Sequence, residues 1–163
     1  MNSTPQASTL KVVCDKLETP YLEYALIMAL GGGFVAETDN SGEVFLRVRI
    51  PEYPELNSWF GRVHPSWRGL HGDDIFNPLT NWRHCGPIVA SRLESSFKDD
   101  PRFTANPCIT AKATFPKKIY ASPYDRSSTG PDLQTALYRA IIKAHFGPDL
   151  EIPTDIIDKH YAA

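Results

Sequence analysis

Apolar residues recur along this chain with two different periods, and the switches between them place most of its elements. Leu22, Ala25, Leu26, Ala29 and Leu30 fall at helical spacing after Thr19-Pro20. That predicts a helix with threonine as its cap and proline at its first position. Gly31-Gly32-Gly33 ends it. Glycines cradle phosphate when they stand between a strand and a following helix. These follow a helix and precede a strand, so they read as a C-cap and tight turn. Leu133, Ala136, Leu137, Ala140, Ile141 and Ala144 make a second, clearer stripe, opened by Pro131 and stopped by Gly147-Pro148.

Between these stripes the period drops to two. Residues 10–14 form a short strand, and residues 33–37 and 43–50 form a hairpin across the turn TDNSG. In the second hairpin strand Val44, Leu46 and Val48 share one face, and Phe45, Arg47 and Arg49 share a wetter one. Residues 108–115 alternate again, with residues 118–121 as the expected partner across a basic turn at Pro116-Lys117. Pro87 is expected to open a short helix running toward Ser96, followed by a polar connection over residues 98–107 and a loop over residues 127–130. Strands and helices do not alternate regularly. The expected architecture is therefore α+β: a curved, mostly antiparallel sheet with two main helices packed on one face and a long irregular central segment. Residues 1–9 read as a frayed tail and residues 10–163 as a single domain.

Composition narrows the function classes. A length of 163 residues with 42% apolar and 22% charged content suits one soluble domain with a real core. A formal net charge of -2 argues against a chain that coats nucleic acid, because phosphate binding wants a basic surplus. The 14 prolines imply several irregular connections. No apolar run is long enough to span a bilayer, so no membrane partner is expected. The first nine residues lack the pattern of a signal peptide. Cys14, Cys85 and Cys108 are scattered without a CxxC pair, which fits a reducing cytoplasm.

Chemical variety is concentrated in one place. All three tryptophans, and His64, His71 and His84 among the five histidines, lie between Trp59 and His84, within the stretch read as irregular. Long loops of this kind tend to carry function. His64, His71, His84 and Cys85 offer zinc-ligand chemistry, but their spacing matches no compact zinc motif, and neither metal nor cofactor is expected. Cys85, beside His84 and ahead of a Gly-Pro step, stands where a thiol pKa could fall. Without a second acid or amide, a hydrolase centred on His84 is a minor alternative. The pairs Asp73-Asp74 and Asp99-Asp100 read as solvated loop acids. The Trp67-Arg68 and Trp82-Arg83 dipeptides suit recognition better, because indole rings stack on bases and guanidinium groups grip phosphate. Trp67, Arg68, Trp82, Arg83 and His84 are accordingly the candidate ligand-binding residues for a nucleotide-like molecule. The same residue types also make protein-contact hot spots, and tryptophans equally serve as core plugs.

Three segments in order carry a family resemblance: LKVVCDKLETPYLEYALIMALGG, FNPLTNWRHCGPIV and GPDLQTALYRAIIKAHFGPDLEIP. Together they resemble the NinX-like family of temperate-phage proteins, a domain of unknown function. The matching positions are Asn77, Pro78, Thr80, Trp82, Gly86, Pro87, Ile88, Arg139 and Gly147. The chain departs from the pattern at Asn81, where the family usually has aspartate, and in the insert-like stretch from Pro51 to Asp74. The resemblance implies a phage-encoded accessory protein in the cytoplasm of a bacterial host, with no catalytic residue assigned. It implies a small binding protein that interferes with host machinery or antiphage defence; with the tryptophan–arginine pairs, the leading expectation is sequestration of a nucleotide-derived signal, and inhibition of a host or phage protein is the alternative. Self-association is left open.

Overall fold

Leu133–Phe146 (α3) is the helix on which the other elements converge. Its cap is Asp132, whose carboxylate accepts the Thr135 N–H at 2.7 Å. Leu137 and Ile141 are fully buried, as their spacing predicts, and the helix packs on two strands and on the first helix. Gly147 ends it at φ 92°, a backbone region that favours glycine. This computed structural model describes residues 8–67, 75–100, 102–105, 107–114 and 123–161.

The fold is α+β, with the antiparallel pairing divided among three small sheets instead of one continuous surface. Thr9–Val13 (β1) pairs with Asp149–Pro153 (β8). Gly33–Thr38 (β2) and Val44–Arg49 (β3) form the expected hairpin, extended by the two-residue Ser58–Trp59 (β4). Leu93–Lys98 (β5), Ile109–Ala113 (β6) and Ser127–Gly130 (β7) make the third sheet. Pro51 and Pro54 lack the donors a ladder needs just past β3, which cuts the pairing short there.

Tyr21–Ala29 (α1) is buried on most sides. Its start differs from the sequence expectation: Thr19 does not cap it but donates its hydroxyl to Glu23 Oε1 at 2.7 Å. At the far end Gly31 has φ 75°, and the Gly31 and Gly32 N–H groups bond the Met28 and Ile27 carbonyls at 3.1 and 2.9 Å. The triple glycine is thus a helix stop, as read. A Cβ at Gly32 would come within 2.8 Å of the Arg49 carbonyl oxygen, so the chain passes too close there for a side chain.

The largest departure is Trp82–Arg92 (α2). Sequence reasoning placed an irregular segment there and began a helix only at Pro87. The helix instead starts one residue after Asn81, whose side chain accepts the Arg83 N–H at 3.0 Å. Pro87 sits inside, without a donor for the carbonyl four residues back. Burial of His84, Cys85, Ile88 and Arg92 along one face outweighs that loss. Helix α2 runs directly into β5 where the helix was expected to continue toward Ser96, and β7 is a strand where a loop was expected. Beyond Gly147-Pro148 lie β8 and a further helix, Thr154–Tyr161 (α4). The expected strand over residues 118–121 and its basic turn lie outside the described residues.

The main core draws side chains from Cys14 to Ile157, and Tyr138 pins it to the central segment by donating its hydroxyl to the Pro78 carbonyl. Phe45, Trp59 and Val63 form a second, smaller core with Trp67 packed against it. Among the described residues no helix is long and apolar enough to cross a membrane.

Candidate functional site

The second core is built on the strand face that the sequence marked as wetter. Phe45 is buried there, and the Arg47 guanidinium lies 4.1 Å from the centre of the Trp59 ring. Arg47 is held by Glu37 at 2.8 Å and Asn57 at 3.2 Å, so this cation belongs to a fixed stack. Trp59 is 1% exposed and fills the core. Trp67 stacks on it with ring centres 5.1 Å apart and planes 20° apart, while Phe45 meets Trp67 edge-on at 5.3 Å. His64 completes the cluster at 5.5 Å from Phe45 and 5.1 Å from Trp67. Its Nδ1 accepts the Ser66 N–H at 3.1 Å and its Nε2 faces Asp39 at 3.4 Å. Arg62 lies 4.8 Å from the Phe45 ring and is ion-paired with Glu43. Asp39, Glu37 and Arg47 escaped the sequence reading because only the fold brings the β2–β3 hairpin against residues 59–67.

Trp82 is placed quite differently. It opens α2 with 70% of its surface exposed. Its indole lies along its own helix over Gly86, where a Cβ would come within 3.2 Å of Cε2 and Nε1. Arg83 is exposed beside it. Among the described residues no ring contact joins Trp67 to Trp82: one belongs to the small core and the other stands on the surface. Arg68, His71 and the Asp73-Asp74 pair lie outside the described residues.

His84 is fully buried beneath Phe76, with ring centres 5.5 Å apart, and its Nδ1 accepts the Asn77 N–H at 2.9 Å. An Nδ1 that accepts leaves the proton on Nε2 in the neutral ring. This histidine organises the turn ahead of α2 and presents no surface to a ligand, which takes it out of the recognition set. Cys85 is 2% exposed, and burial pushes its thiol up, opposite to the lowering expected at a helix start. The reason is positional: α2 begins three residues before Cys85 and turns it into the core. Asp99 and Asp100 are also engaged, the first accepting the Cys108 N–H at 3.3 Å and the second paired with Arg102 at 2.7 Å. Among the described residues no three His, Cys, Asp or Glu side chains converge as metal ligands.

No family model matches the chain, and no curated protein matches it either, so the NinX-like resemblance rests on the three segments themselves. Most positions that carry it have packing tasks. Asn77 donates to His84 and accepts the Thr80 N–H at 3.3 Å, Pro78 receives Tyr138, and Ile88 is fully buried. Arg139 bridges the Leu17 and Thr129 carbonyls at 2.9 and 3.0 Å. Trp82 is the exception among them, a large aromatic side chain left in solvent.

Proposed function

We propose that this is a small recognition protein that acts by contacting a protein partner through Trp82 and Arg83, in the phage and bacterial-host setting that the NinX-like resemblance implies. One observation carries the reading: Trp82 is 70% exposed, yet its ring is laid on the helix over Gly86. A large ring that is already oriented loses little freedom on binding, and tryptophan beside arginine is the composition of contact hot spots. Small-molecule sites are concave, whereas a ring standing 70% exposed on a helix is the geometry of a surface contact. The reading therefore places an inhibitor or adaptor ahead of a ligand-sequestering protein.

A nucleotide-like ligand is the second reading, supported by the open indole face of Trp82 next to an exposed arginine. Two measurements separate the readings. Affinity capture from bacterial lysate with the wild type and with Trp82→Ala, followed by calorimetry on the purified captured protein, should give a complex that the variant loses. Titration with cyclic and linear nucleotides, ADP-ribose derivatives included, should give no heat. Saturable nucleotide binding that Trp82→Ala abolishes would transfer the assignment to the second reading.

A further inference from the structure

A groove of about 460 Å³ opens between α1, the C-terminal end of α3 and β8. Tyr24, Ala25 and Met28 come from α1, His145 and Phe146 from α3, and Asp149, Leu150, Glu151 and Pro153 from β8. No β1 residue lines it, so the groove runs along the edge of β8 that β1 does not cover.

That edge carries free backbone groups, and the register shows which. The Cys14 N–H bonds the Pro148 carbonyl at 2.8 Å, and the Thr154 N–H bonds the Ser8 carbonyl at 2.9 Å. In an antiparallel ladder hydrogen-bonded pairs alternate with non-bonded ones. Leu150 and Ile152 therefore exchange bonds with Val12 and Leu10. Asp149 and Glu151 point both their N–H and C=O groups the other way, and Pro153 adds a carbonyl. Beside these groups stand the Asp149 and Glu151 carboxylates, which share one face of the strand and form no ion pair among the described residues, although Lys11 lies opposite Glu151. Tyr24, Met28, Phe146 and Leu150 supply apolar surface.

Unpaired donors and acceptors at two-residue intervals, an apolar wall and two carboxylates without an ion pair among the described residues together describe a receptor for an extended chain, even with Lys11 across the strand and His145 at the groove wall. We propose that this groove docks an extended basic segment of a partner protein, which adds a strand to the free edge of β8. Every second residue of that segment is lysine or arginine and faces Asp149 and Glu151, and the residues between them pack on Tyr24 and Met28. The site shares no residue with the Trp82 surface and does not depend on it.

The probe is a blocked peptide of alternating valine and lysine, titrated into isotopically labelled protein. Saturable shifts centred on the Asp149 and Glu151 amides are expected. A valine–glutamate peptide should produce none, and a valine–lysine peptide N-methylated at alternate residues should lose the binding because it cannot bond the edge. Asp149→Lys with Glu151→Lys should weaken binding by at least about tenfold while leaving the spectrum of a folded protein. Both side chains are exposed, so the variant should fold. Equal binding by the acidic or N-methylated peptide, shifts confined to another surface, or a second copy of the chain occupying this edge in sedimentation and cross-linking would each overturn the proposal.

Discussion

The indole of Trp82 rests on Gly86, one turn further along the same helix, at a distance that leaves no comfortable room for a side chain. The absence of a Cβ is what allows the ring to lie against the helix. In Gly86→Ala the methyl group would meet the indole at 3.2 Å, and an exposed ring can give way by the few tenths of an ångström required. Alanine in a helix interior is worth about 0.5–1 kcal/mol over glycine. Gly86→Ala is therefore expected to raise the melting temperature and to shift the Trp82 emission. A loss of stability would mean that the indole is fixed more firmly than its exposure indicates.

Trp59 and Trp82 should respond in opposite ways to truncation. Trp59 is 1% exposed and sits between Arg47 and Trp67, so Trp59→Ala should cost about 3–5 kcal/mol. Trp82→Ala should stay within about 0.5 kcal/mol of the wild type. Denaturant titrations of the two variants decide the matter, and equal losses would contradict the division into a core ring and a surface ring.

Leu137→Ala tests α3 as the centre of the fold. The side chain is fully buried between α3 and its neighbours, and its removal should cost about 2–5 kcal/mol. A melting shift no larger than that of an exposed control would count against the packing described.

Arg139 is a clamp. Its guanidinium bridges carbonyls at Leu17 and Thr129, joining the segment before α1 to β7, and it is 7% exposed. Arg139→Lys keeps the charge but loses the planar fork, so it should not restore stability. A loss of about 1–3 kcal/mol is expected for the lysine variant, because the buried Leu17 carbonyl and the part-buried Thr129 carbonyl lose their shared donor. Wild-type stability in that variant would show that charge alone suffices.

Glu23 makes stability depend on pH. It is 3% exposed; Oε1 receives the Thr19 hydroxyl, and Oε2 has no partner. Burial raises its pKa above the ordinary value of 4.5, so the folded chain keeps this proton to higher pH than the unfolded chain. Below the ordinary value both states are protonated and the group is neutral with respect to folding. Stability falls as pH rises from there to the folded pKa and then levels off. Glu23→Gln should match the wild type near about pH 4 and be the more stable of the two near about pH 8. Thermal melts across that range check it, and parallel curves would sink the assignment.

Elements with strong local patterns were legible in the chain itself. Leu137 and Ile141 on α3, the hairpin around residues 39–42 and the stop at Gly31 follow from periodicity and from backbone preferences that act over a few residues. The α+β class follows from their order. Helix α2 was not legible, because Gly86 and Pro87 break helices locally and only burial of Ile88 and Cys85 against the core outweighs them. Nor was the contrast among the tryptophans. Residue type and spacing are alike for Trp67-Arg68 and Trp82-Arg83, and nothing local says which ring will meet a hairpin strand. The sequence determined where aromatic and cationic groups gather; the tertiary structure decided that Trp59 and His84 are buried while Trp82 faces solvent. Periodicity reports a residue's position on its own element. Burial depends on which distant elements close over it, as the β2–β3 hairpin closes over Trp59 and α3 holds the turn before α2 through Tyr138 and Pro78.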